Sequence, residues 1–239
     1  MTDGTYGTGV EGFTGDFGGG VRGDFRGGFT DATTCLPEDL LLLSARPTDG
    51  RVRQPLYLPH ALSGAILAEL LFAGALRFDG KRVHADANVP LRHPALAAAA
   101  TFLLPTVVGP RGARLSTCLQ RLRRRPGARP FLESLTAAGL LRRNEARLLG
   151  FIPATTHTFT DPAARASRVA RIDATLASPQ TAPPRDLALT TLAGTVDLTN
   201  HLHPTRPDRA TRRLLADLTR ADPVSSAVAT SIRRARSAD

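Results

Sequence analysis

Apolar positions along the chain fall into blocks separated by proline, glycine and acidic residues, and most blocks carry helical spacing. Leu40 to Leu43 follow Pro37, Glu38 and Asp39, the proline and acids that favour a first helical turn. Pro47, Asp49 and Gly50 then break the chain, and residues 51–58 read as extended or loop. Pro59 opens HALSGAILAELLFAG, which is apolar on nearly every side with Glu69 its only charge. A helix of that kind belongs at the centre of a domain. Glu69 is weighed as a catalytic acid against a carboxylate at the rim or paired with an arginine. The second reading is stronger, because an unpaired buried charge is costly.

Gly74 ends this helix, and residues 75–85 alternate around Asp79-Gly80, the signature of a tight hairpin. Pro94 opens PALAAAATFLL, residues 111–125 form a basic helix (RGARLSTCLQRLRRR), and Pro126-Gly127 breaks it. Pro130 opens PFLESLTAAG, ended by Gly139 in the manner of a left-handed cap. A second hairpin follows, with apolar runs at residues 140–141 and 148–152 flanking a polar turn at 142–147. LFAGALR at 71–77 echoes TAAGLLR at 136–142, each ending a helix and entering a basic hairpin, as in a duplicated winged-helix pair. Pro162, Pro184, Pro207 and Pro223 open the closing helices, the first and last capped by Asp161 and Asp222. The sum is a mainly α fold: a central bundle of apolar helices ringed by amphipathic helices, with one or two small β-hairpins.

Composition changes this picture at the N-terminus. Residues 1–34 hold 11 of the 21 glycines, with Phe and Tyr spaced among Gly, Asp and Thr. Such a segment cannot offset its ordering entropy, so residues 1–34 are expected to be a disordered tail ahead of a domain over 35–239. The net charge of +10 comes from arginine, since Lys81 is the only lysine. That bias is partly what a GC-rich bacterial genome produces, but its sign still predicts attraction to nucleic acid or anionic lipid.

Cys35 and Cys118 make no disulfide framework and no metal-ligand spacing, which fits a reducing compartment and no metal or other cofactor. Residues 61–76 are too short and too polar to span a bilayer, and no secretory signal is read, so membrane contact is expected to be peripheral, at the inner face from the cytoplasm. No phosphate-binding glycine loop, nucleophile elbow or zinc-protease helix occurs, and Thr155-Thr156-His157 lacks a third orienting group. An enzyme is not expected.

The arginines at 121, 123, 124, 125 and 129 precede the second hairpin closely. A winged-helix unit binding nucleic acid is one reading, with the hairpin as wing. Against it, residues 130–138 carry Glu133 and no basic residue. A membrane-surface protein is the other: arginines for phosphate headgroups, the apolar hairpin for the acyl boundary. The plainest alternative is that the helix buries Leu115, Leu119 and Leu122 while its arginines are solvated.

The order of motifs resembles the Golgi phosphoprotein 3 family. The resemblance runs through LPEDLLLL at 36–43, LSGAILAEL at 62–70 with GALRF after it, the arginine-bearing helix, GLL at 139–141, FIPATTH at 151–157 and RDLALTTLA at 185–193. It implies a helical domain that reads phosphatidylinositol 4-phosphate on a membrane. Carried over residue by residue, one headgroup arginine falls on Arg125, and the second falls on Ala128 with Arg129 beside it. The arginine of the central helix falls on Ser63, and the aromatic falls near Gln54, with Tyr57 the nearest ring. The expected headgroup set is therefore Arg125, Arg129, Arg124, Arg121, Tyr57 and Ser63. The bilayer-entering hairpin matches residues 140–152, with Leu148, Leu149, Phe151 and Ile152 as its apolar side chains. The departures at Ala128, Ser63 and Gln54 leave any anionic phospholipid as the expected partner. Membrane-associated proteins and a homo-oligomer stay open.

Overall fold

In the computed structural model the described residues are 34–86, 89–125, 127–148, 152–203 and 205–238, with the backbone alone at 146–148 and 152–154. Of the tail expected over residues 1–34, residues 1–33 lie outside them, and Thr34 is bonded to the fold through Asp39 (2.7 Å). The architecture is mainly helical, with two antiparallel hairpins.

Helix α1 (Leu36–Leu43) and helix α2 (Leu58–Phe72) form the centre. All eight residues of α1 are buried, charges included, and α2 is buried over most of its length. Around them pack α3 (Pro94–Val107), α4 (Leu115–Arg124), α5 (Arg129–Ala137), α6 (Pro162–Ala177), α7 (Pro184–Thr195) and α9 (Pro223–Arg236). Helix α8 (Arg209–Ala221) lies outermost against α6, α7 and α9, with no residue fully buried. Gly64 lets α2 approach its neighbours closely: a Cβ there would meet Val228 of α9 at 2.6 Å and Leu192 of α7 at 2.8 Å.

Most helix starts fall where proline predicts. Pro94, Pro162, Pro184 and Pro223 each open a helix, and the carboxylates of Asp161 and Asp222 accept first-turn N–H bonds. Helix α8 is the exception. It starts after Asp208, whose carboxylate accepts the N–H of Thr211, so Pro207 stays outside.

The two hairpins correct the sequence reading. In β1 (Leu76–Phe78) and β2 (Val83–Ala85), Phe78 pairs with Val83, and the turn lies within residues 79–82. Asp79 donates its N–H to the Arg82 carbonyl (3.1 Å) and accepts from the N–H groups of Lys81 and Arg82, which centres the turn one residue later than expected. In the second hairpin, β3 (Leu141–Leu148) pairs with β4 (Ile152–Phe159), so residues 142–147 are strand, not turn. A two-stranded ribbon at the surface buries little, which removes the apolar alternation that would have marked it. The echo at 71–77 and 136–142 has a shared geometry. Gly74 and Gly139 sit at φ of 71° and 74°, and the residue after each donates back into the helix, Ala75 to Leu70 and Leu140 to Leu135.

A buried polar network joins the centre to the ring. Asp39 of α1 accepts from Arg168 and Arg171 of α6, each at 3.0 Å, and from Thr34 at 2.7 Å. Glu69 of α2 accepts the N–H of Leu36 and pairs with Arg185 of α7 at 2.6 Å. Burial pushes the Glu69 carboxyl up, and Arg185 pulls against it. Removing one member of a buried pair strands its partner, at a cost of about 3–5 kcal/mol. Asp39→Asn is expected to lower stability by about 3 kcal/mol in urea unfolding. A loss below about 1 kcal/mol, the range of exposed pairs, would show that the network does not hold α1 in place.

Candidate headgroup site

Helix α4 turns Cys118, Leu119 and Leu122 into the core and leaves its other face to arginine. With three arginines in its last turn, α4 ends favourably, because cations complement the C-terminal dipole. Arg124 and Arg125 are exposed, and Arg125 leaves the helix in an extended conformation. Arg121 lies over the Phe102 ring at 5.0 Å, and its buried Nε has no hydrogen-bond partner. Among the described residues none of Arg121, Arg123, Arg124 and Arg125 is paired with a carboxylate. Arg129 differs: it pairs with Glu133 one turn on in α5 (2.8 Å), and both are exposed. That pair adds little to stability and offsets the charge of Arg129.

Beside α4 stands the start of α2. Tyr57 precedes the helix, and the guanidinium of Arg236 in α9 lies 4.9 Å from its ring centroid. His60 meets Tyr57 edge-on at 6.0 Å. Arg123 approaches Nε2 of His60 at 3.0 Å, and Ser231 of α9 lies 3.0 Å from Nδ1. Arginine only donates, so Nε2 is the acceptor and Nδ1 carries the proton that bonds Ser231. The ring is therefore neutral while it holds Arg123. Burial, and then the charge of Arg123, push the His60 pKa down.

Of the sequence-derived set, Arg121, Arg124 and Arg125 share the end of α4, but Arg121 packs on Phe102 of α3, whereas Tyr57 is linked through His60 to Arg123. Ser63 is buried, and its hydroxyl already donates to the His60 carbonyl (2.6 Å). Leu148 and Ile152 end the paired strands of the hairpin. Leu149 and Phe151 lie outside the described residues. Sequence reasoning missed His60 and Arg236. Their partners are far along the chain, and no local spacing marks them.

The Thr155-Thr156-His157 motif sits in β4, where the His157 carbonyl accepts the N–H of Val52 at 2.9 Å. It ties the loop before α2 to the hairpin. Cys35, Glu38 and His93 bring metal-type ligand atoms within 4.8 Å of one another. Glu38 there accepts from the Cys35 N–H (2.9 Å) and faces His93 Nε2 (3.0 Å), and burial pushes the Cys35 thiol far up. These contacts cap the start of α1. Cys118 is also buried, its thiol pushed up to about 11.

The family model for Golgi phosphoprotein 3 (GPP34) matches residues 36–235, from the first residue of α1 almost to the end of α9. The chain belongs to the Golgi phosphoprotein 3 family. No curated protein matches it. In this Golgi phosphoprotein 3 family member the LPEDLLLL stretch is the wholly buried α1, and its two acids anchor the core. Among the described residues no helix is long and apolar enough to cross a membrane.

The depressed pKa of His60 has a signed consequence. Its unfolded value is near 6.5, so below that pH the unfolded chain binds the proton first and stability falls until the folded pKa is passed. His157, pushed down by burial and then by Arg143, acts in the same direction. Thermal unfolding followed from pH 7.5 downward is expected to show this fall beginning near pH 6.5. His60→Gln, which keeps an acceptor for Arg123 but takes no proton, should remove part of it. An unchanged pH slope in the variant would assign the effect elsewhere.

Proposed function

We propose that this protein is a peripheral membrane protein that binds anionic phospholipid headgroups through Arg121, Arg123, Arg124 and Arg125, with the apolar hairpin end around Leu148 and Ile152 entering the interface. The observation that carries this reading is the lack of any carboxylate partner for these four arginines among the described residues. Like charges gathered on one helix end repel, and an external anion relieves that repulsion. Guanidinium groups offer forked donors that match phosphate oxygens. The orphaned Nε of Arg121 adds a donor in want of an acceptor.

The family is associated with phosphoinositide binding, which supports the same ligand chemistry. The position of Ser63 departs from that pattern: its hydroxyl is spent inside the protein. A phosphate-bearing lipid is therefore bound here without a basic contribution from the central helix, and selection among headgroups rests on charge more than on shape. Arg129 contributes less than its neighbours because Glu133 competes for it. The winged-helix reading is weaker on the same ground, since the only base of α5 is that paired arginine.

Each basic residue at an anionic surface is worth about 1 kcal/mol. Replacing Arg123, Arg124 and Arg125 by Ser is expected to weaken binding to phosphatidylglycerol vesicles by roughly 100-fold in co-sedimentation. Arg129→Ser should change it by less than about threefold. Undiminished binding of the triple variant would refute the assignment. Tight, salt-sensitive binding of random duplex DNA by wild type, with no vesicle binding, would favour the nucleic-acid reading.

A further inference from the structure

Leu56 is 74% exposed, the most exposed large hydrophobic side chain among the described residues. Single exposed leucines are ordinary, so exposure alone says little. Its setting says more. Leu56 lies in the turn from Pro55 to Leu58, closed by the Leu58 N–H donating to the Pro55 carbonyl (2.9 Å). Leu58 is wholly buried as the first residue of α2, which fixes one end of the turn in the core. On the other side, Val52 is bonded to His157 of β4 and Arg53 to the Ser44 carbonyl. The side chain is thus presented on a braced loop, which lowers the entropy lost when it meets a partner.

The surroundings are cationic. Arg51 and Arg53 are exposed just upstream, and Tyr57 next door carries on its ring Arg236, which also reaches Asp197 at 3.6 Å. Beneath this surface the buried His60 touches Tyr57 on one side and Arg123 and Ser231 on the other, and those two line a groove of about 980 Å³ between α4 and α9. Among the described residues the groove wall includes Lys81, Arg82, Arg114 and Arg234, with Arg220 paired to Asp217 behind it, and no acidic residue of its own. A second copy of this chain would bring the same positive charge to that side and be repelled. An apolar tip among cations instead matches the layered chemistry of an anionic bilayer, with phosphates outside and acyl chains beneath.

We propose that Leu56 is a second membrane anchor, entering the acyl boundary of an anionic bilayer while the cations around it and along the α4/α9 groove meet the headgroups. The inference rests on the lipid-binding reading above and adds a contact that reading does not need. Anchors at Leu56 and at the hairpin end would fix the tilt of the protein on the membrane. The Val52–His157 bond ties the two supporting segments together.

The chain has no tryptophan, so Leu56→Trp introduces a single indole emitter. Phe72→Trp, at the far end of α2 and roughly 21 Å away along the helix, serves as control. On vesicles containing phosphatidylglycerol, the indole at 56 is expected to shift to the blue and to be quenched by brominated acyl chains, and the one at 72 to do neither. Leu56→Ser should bind these vesicles about tenfold more weakly than wild type. If Leu56→Trp sediments with vesicles but its emission stays that of a hydrated indole, Leu56 is not an anchor and the headgroup assignment stands. Equal shifts at positions 56 and 72 would mean unoriented adhesion and overturn the proposal. If wild type does not bind the vesicles at all, both readings fall together.

Discussion

The structure depends on two carboxylates held inside it. Asp39 and Glu69 sit on the two central helices, and each reaches arginines on surrounding helices: Arg168 and Arg171 from α6, Arg185 from α7. A buried ion pair is weak evidence for stability, because desolvation offsets most of its attraction. What it does supply is register. Asp39 accepts from two arginines one turn apart in α6, and Glu69 accepts from both the start of α1 and the start of α7. Apolar packing alone would let such helices slide. These bonds set where they stop.

The same residue type then has two uses. Arg168, Arg171 and Arg185 are matched to buried acids and serve the fold, whereas at the end of α4 Arg123 meets a neutral imidazole and Arg121 an aromatic ring. His60 shows how a cation can be held without being neutralised. Its neutral Nε2 fixes one nitrogen of Arg123 and leaves the charge intact. That contact joins the start of α2, the end of α4 and α9, while Arg121 turns to Phe102 of α3 and Arg129 to Glu133 of α5.

How much of this could be read from the sequence depends on how local each signal is. Proline at a helix start acts on its own neighbours, and Pro94, Pro162, Pro184 and Pro223 all mark helices correctly. Asp208 outbid Pro207 for the same task, because its carboxylate satisfies an N–H that proline cannot. The first strand of the second hairpin was hidden because residues 142–145 are exposed or half-buried on both faces, which left no period of two there. Arg121, Arg124 and Arg125 were legible as a charge run. His60 was not: Arg123 lies 63 positions away from it, and Ser231 lies 171. Ser63 aligned with a ligand position, but in the fold its hydroxyl is turned to the backbone of its own helix.

We propose that an external anionic surface completes the charge left open at the end of α4. Flotation of the wild-type chain with vesicles of increasing phosphatidylglycerol content, at low and at high salt, tests it most directly. Recovery should rise steeply with anionic lipid and collapse as salt screens the surface. Equal recovery on neutral and anionic vesicles at low salt would contradict the account.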